Sequence, residues 1–187
     1  CRLDQQDFSL DGKYAGVNYL GSSVLELIAN KSVLVVGSVL REEHPLLTQR
    51  LRQASKRGMD LHSINVMAQD LLAPVATELT LDPREIAYAL AQILKAALAI
   101  TAKLSDVNLG QVVVSTQTQA IAESLVKHNG HILLGRVARG LANYSELVIL
   151  ANEIARVCGG KSGVLPSMAN EVGAQLVGFT PYQAAFN

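Results

Sequence analysis

Cysteine is scarce in this chain of 187 residues: there are two, Cys1 and Cys158, near opposite ends. With no C-x-x-C pair and no Cys/His cluster, zinc-finger, ferredoxin-type and thioredoxin-like sites lack their ligands. Cys158 falls at the end of an apolar helical pattern. It reads as a small buried hydrophobe more readily than as half of a disulfide, and a reducing compartment is expected. Tryptophan is absent and aromatic residues make up 4%. Neither sign of charge is in excess, since sixteen Lys and Arg face sixteen Asp and Glu. Without a broad basic field, nucleic acid is not expected as the main partner. Long hydrophobic runs are missing too. The most apolar stretch, 86–102, is broken by Gln92 and Lys95 and falls short of the ~20 residues a bilayer needs, so it reads as a core helix. What is abundant is apolar content, at 49%, which excludes disorder, collagen and a disulfide-stapled miniprotein. A chain this long hides roughly 70% of its surface on folding, enough for a true core.

The chain opens on Cys1 with no Met ahead of it. A piece of a longer protein explains this, and so does a mature lipoprotein lipidated on Cys1. Residues 1–20 are polar and aperiodic and, with a short helix over 22–30, form an arm over 1–30 ahead of an α/β domain over 31–187. Val33, Leu34, Val35 and Val36, ended by Gly37, make a continuous apolar run, the pattern of a strand buried on both faces. Pro45 sits where a helix begins, Leu46, Leu47, Leu51 and Ala54 recur at helical spacing, and Gly58 is a natural stop. A second strand follows over 61–66. Residues 32–66 therefore predict a parallel strand–helix–strand unit. Farther on, Asp82-Pro83-Arg84-Glu85 opens a helix running to about 103, with Ile86, Leu90, Ile93, Leu94, Ala97 and Leu98 as its apolar stripe. The segment 111–114 fits a short strand or a helix start, and 118–127 is helical, stopped by Asn129-Gly130. A third strand covers 131–134, a helix 145–157, a short strand 163–165, and a helix or turn 168–177. The alternation predicts a doubly wound, mainly parallel α/β sheet with flanking helices.

Most chemical motifs fail on spacing. No G-x-G-x-x-G follows the first strand. Gly159-Gly160-Lys161-Ser162 resembles the end of a phosphate loop, but position 155 is Ala and the loop precedes a strand rather than a helix. His44, His62, His128 and His131 lack metal spacing, and the last two, flanking Asn129-Gly130, read as solvated loop residues. Ser38 has no G-x-S-x-G context and no recognisable base. Glu42 and Glu43 stand just ahead of a helix, where they suit its dipole better than acid–base work. Arg50, Arg52, Lys56 and Arg57 form a basic face that either docks an anionic partner or is simply solvated.

One loop carries a resemblance. Gly37-Ser38-Val39-Leu40-Arg41-Glu42-Glu43-His44-Pro45 is similar to the G-S-N-P-x-E-x-H-P loop of the molybdopterin oxidoreductase superfamily. Leu51-Arg52-Gln53-Ala54 and Arg57-Gly58 match its continuation, and Gly163-Val164-Leu165-Pro166, Asn170 and Gly173-Ala174 resemble its later Gly/Asn stretch. Within the superfamily, Cys1-Arg2-Leu3-Asp4-Gln5-Gln6-Asp7-Phe8 and Gln49-Arg50-Leu51-Arg52-Gln53-Ala54 resemble the large iron–sulfur G subunits of bacterial NADH:quinone oxidoreductase, respiratory complex I. The resemblance implies a molybdopterin-oxidoreductase-like domain of formate dehydrogenase or DMSO reductase type, in a structural part of a subunit supporting electron transfer from NADH to quinone. It further implies no chemistry and no cofactor in this stretch. The iron–sulfur clusters would lie in an N-terminal region outside it, and the neighbours would be other peripheral-arm subunits on the cytoplasmic side of the bacterial inner membrane. An isolated fragment would be free to form a homodimer through exposed edges. The loop Gly37, Ser38, Glu42, His44 and Pro45 would be a vestigial cofactor loop, since Val39-Leu40 replaces Asn-Pro and removes a polar partner for a nucleotide. The alternatives are a true molybdopterin oxidoreductase, a lipidated binding protein, and the central domain of a thiamine-diphosphate enzyme.

Overall fold

A computed structural model of the chain describes residues 5–10 and 19–177. The expectations that rest on Cys1, lipidation above all, lie outside the described residues. Five strands form one sheet: β1 (Ser32–Val36), β2 (Asp60–Asn65), β3 (Thr77–Thr80), β4 (His131–Leu134) and β5 (Lys161–Val164). All four pairings are parallel and the order is β3-β2-β1-β4-β5. The chain starts in the centre, winds outward to β3, returns beside β1 and winds outward again to β5. The α/β class and the parallel sheet expected from the sequence are thus present.

The apolar run of β1 explains the layering. Every residue of the strand is buried. Leu34 and Val36 join Ile64, Ile132 and Leu134 on one face, under α4 (Ile86–Thr101), α5 (Thr116–His128) and α7 (Tyr144–Cys158). Val33 and Val35 join Leu61 and Leu133 on the other, under α1 (Val24–Ala29) and α3 (Pro45–Lys56), which contribute Leu27, Leu51 and Ala54. A leucine fully buried in such a core contributes roughly 1.5–3 kcal/mol relative to exposure. At α1 the Ser23 side chain accepts from the Glu26 N–H at 3.2 Å, while Glu26 accepts from the Ser23 N–H at 3.1 Å. Two donors that a helix end leaves bare are thereby satisfied.

The structure adds short elements to the sequence expectations and shifts others. The strand β3 exposes Glu78 and Thr80 and buries only Leu79, so it carries no apolar run to announce it. Residues 111–114 are neither strand nor helix; α5 begins after Ser115, whose hydroxyl accepts from the Thr118 N–H. The turn Pro83–Glu85 is 3₁₀ rather than α-helical. Two short helices, α2 (Leu40–Glu43) and α6 (Arg136–Arg139), follow β1 and β4 directly, and a last one, α8 (Glu171–Leu176), buries no residue of its own. At the β5 edge, the Val164 N–H donates to the Tyr19 carbonyl at 2.8 Å. A Cβ on Gly21 or Gly163 would lie 2.1 Å from the opposing backbone oxygen, of Ser162 or Leu20 respectively. Residues 19–21 therefore run directly against β5.

No helix among the described residues is long and apolar enough to cross a membrane. Cys158 is buried as expected, and burial pushes its thiol up to about 11.

Candidate functional site

In an open parallel sheet, ligands collect outside the carboxyl ends of the strands where the winding reverses. Here that point lies between β1 and β4, and the two loops touch. Gly37 adopts φ +59°, and a Cβ there would meet the Ala138 nitrogen at 2.5 Å. A Cβ on Gly135 would meet the Ser38 Cβ at 2.2 Å. The Gly135 N–H donates to Val36 O and the Ala138 N–H to Gly37 O, so α6 closes over the end of β1.

Glu43 holds the loop after β1. Its carboxylate accepts from the Ser38 hydroxyl at 2.7 Å and from the Val39 N–H at 3.0 Å. This corrects the expected role of Glu43 at the start of α3: it stands at the end of α2 and braces the strand-end loop. Ser38 is buried and spends its proton on that carboxylate, while its carbonyl accepts from Asn65 Nδ2 at 2.8 Å. Glu42 is exposed.

Two cavities flank this brace and share Glu43 as a wall. The smaller, of about 490 Å³, lies directly at the winding reversal between Val39, Glu42, Glu43 and Arg136, Val137, Gly140. The larger, of about 640 Å³, opens on the α1/α3 side between His44, Pro45, Leu46, Leu47 and Arg50 on one wall and Tyr19, Leu20, Val24, Leu165, Pro166 and Val172 on the others. Its lining is mostly apolar, with Leu46 82% exposed to solvent. His44 is half-buried, and burial lowers its pKa while Glu43 pulls the other way. Pro45 is the first residue of α3, as expected, and the His44 side chain makes no capping hydrogen bond.

The structure separates the expected basic face. Arg50 lines the larger cavity. Arg52 is half-buried, with Nη1 donating to Gln49 Oε1 at 3.4 Å. Lys56 and Arg57 are exposed at the far end of α3. No ion pair involves Arg50, Arg52, Lys56 or Arg57 among the described residues.

Sequence reasoning missed Arg139, which is 3% exposed and donates to both the Glu171 carboxylate and the Ser167 hydroxyl. The same carboxylate accepts from the Ser167 N–H at 3.0 Å. This buried group ties α6 to the segment after β5 and holds α8, whose Val172 lines the larger cavity. The only signal was a pair of arginines, Arg136 and Arg139, in an otherwise largely apolar stretch.

The histidines also need correction. His131 lies on β4 rather than in a solvated loop, and it and His62 are buried with both ring nitrogens unpartnered. They occupy opposite faces, since His62 is in register with Leu34 and His131 with Val33. Among the described residues, no three His, Cys, Asp or Glu lie together as metal ligands.

Burial pushes the His62 imidazole down to about 4, with Asp60 opposing. The ordinary unfolded value is about 6.5. The unfolded chain therefore binds the proton first, and stability present above pH 6.5 falls as pH drops toward 4. Between pH 7 and 4.5 His62 accounts for a loss of about 2 kcal/mol. Urea unfolding across this range should show a shallower acid decline in His62→Leu than in the parent; identical slopes would remove His62 from the acid response.

Comparison with known proteins bears on the resemblance. No protein-family model and no curated protein sequence matches the chain. Among solved structures, it is similar to a chain of the formyltransferase/hydrolase complex (FhcABCD) from Methylorubrum extorquens in complex with methylofuran, with a TM-score of 0.53 and 16% identity. The match covers 95% of this chain and 47% of that one, so the chain spans about half the length of its neighbour. At this identity the likeness shows the fold alone. It overturns the expected assignment all the same: the matched fold belongs to a formyltransferase/hydrolase complex, not to a complex I subunit. With it fall the scaffold role in NADH:quinone oxidoreductase, the expected enzyme class and the peripheral-arm partners.

Proposed function

We propose that this chain is a ligand-binding α/β domain whose site is the apolar cleft at the carboxyl edge of the sheet. One observation carries the reading: a cavity of about 640 Å³ whose lining is largely apolar and includes Glu43, His44 and Arg50. Small-molecule sites have this make-up, an apolar enclosure of some hundreds of Å³ with a few polar groups that orient the guest. The location supports it as well, because the walls come from the loops after β1 and β5, which a parallel sheet presents together. The loop Gly37, Ser38, Glu42, His44 and Pro45 supplies the brace and one wall of the cleft rather than a reacting group. The reading needs no metal or cofactor on this chain. The finer classification of the sheet as a molybdopterin-oxidoreductase-like domain has the sequence of this loop as its support.

An uncharged fluorescent probe, N-phenyl-1-naphthylamine, tests the reading without help from charge. Its emission should rise saturably with the full chain. Val172→Trp, which fills the cleft from the α8 side, should weaken binding at least tenfold with an unchanged melting temperature. No saturable rise, or equal binding by Val172→Trp, would overturn the proposal.

A further inference from the structure

The carboxylate, imidazole and guanidinium on the cleft, Glu43, His44 and Arg50, differ in how their charge is already used. The Glu43 carboxylate is engaged on both oxygens, by the Ser38 hydroxyl and the Val39 N–H, within the loop after β1. Such hydrogen bonds satisfy the anion internally and leave it little demand for an outside cation. His44 is half-buried in a setting that disfavours the imidazolium. Arg50 is exposed on α3 and has no hydrogen bond or ion pair among the described residues. It stands one helical turn beyond Leu46, so both face the same cleft. An arginine presents five N–H donors in a planar fork that matches a carboxylate. The N-terminal end of α3, uncapped by any side chain, lines the same wall and favours negative charge there.

We infer that the cleft takes an apolar carboxylic acid, its hydrocarbon body against Leu46, Leu47 and Leu165 and its carboxylate on Arg50. This rests on the binding reading above and gives that site its ligand class. A cation of the same shape would meet the Arg50 guanidinium without a free carboxylate to answer it. A neutral analogue would keep the apolar contacts alone. An exposed charge pair adds little, and a bidentate arginine–carboxylate pair against an apolar wall adds more.

An isosteric set of naphthalene compounds separates the terms: 2-naphthylacetate, 2-(2-naphthyl)ethanol and 2-(2-naphthyl)ethylamine, titrated calorimetrically into the full chain. The acid should bind about tenfold more tightly than the alcohol, and the amine least. Arg50→Gln should bring the acid to the affinity of the alcohol and leave the alcohol unchanged. Raising the salt concentration should weaken the acid selectively. Equal binding of acid and amine would overturn the ligand class while leaving the cleft as a binding site. A loss of the alcohol in Arg50→Gln would do the same, since it would mark the arginine as part of the wall. If none of the three binds, the binding reading falls with the inference.

Discussion

Gly37→Ala is expected to lower the melting temperature by on the order of 10 °C. Two costs coincide. The backbone at Gly37 is left-handed, φ +59°, which costs an L-residue roughly 1–2 kcal/mol. The new methyl would also stand 2.5 Å from the Ala138 nitrogen and 2.7 Å from its Cβ. That contact cannot be relieved by rotating a side chain, because it is set by the hydrogen bond from the Ala138 N–H to the Gly37 carbonyl. Overpacking of this kind adds about 1–3 kcal/mol. For a domain of this size each kcal/mol lowers the midpoint by about 2–4 °C. Gly58→Ala is the control: φ there is +95°, yet a Cβ meets nothing within 4 Å, so only the conformational cost remains. Thermal melts should show a shift about twofold larger for Gly37→Ala than for Gly58→Ala. Equal shifts would show that the junction of the β1 and β4 loops yields freely.

Arg139→Met should destabilise by about 3–5 kcal/mol, the cost of leaving one member of a buried ion pair alone. The Glu171 side chain is 8% exposed, and without Arg139 its carboxylate keeps only the Ser167 N–H. The double variant Arg139→Met/Glu171→Leu should recover most of that loss, because replacing a whole buried pair by apolar side chains is close to neutral. Denaturant unfolding of the two singles and the double completes a thermodynamic cycle. Additive losses would mean that the two side chains do not depend on each other. The first sign of the single variant should be faster hydrogen exchange over 166–177, since α8 buries no residue to hold it once the ion pair is gone.

The core of the fold was legible because burial writes directly into sequence. Val33 to Val36 declared a strand covered on both sides, and Pro45 and Gly58 bracketed α3 within two residues. The elements that escaped bury little: β3 hides only Leu79, and α2 and α6 are four residues each. Glu43 and Arg139 escaped for another reason. Their roles depend on partners brought together by folding, Ser38 in one case and Ser167 with Glu171 in the other. The resemblance carried by the same loop, which did not extend to the complex I assignment, also has a physical side. Gly37 is demanded by a left-handed backbone, Pro45 by a helix start, and Leu51 and Ala54 by the core. Any parallel sheet with this local geometry asks for similar residues, so their agreement reports the architecture before it reports ancestry.

The run of residues 19–21 along β5 has a consequence for how the molecule behaves in a crowded solution. A sheet can be extended by a foreign strand wherever its outermost backbone groups are unmatched. On the β5 side that invitation is already answered from within the chain, and Gly21 and Gly163 permit an approach that any side chain would block. Only the β3 side remains, where the strand is four residues long and carries Glu78 outward. With one edge met from within the chain and the other short and charged, edge-to-edge pairing with a foreign strand is disfavoured.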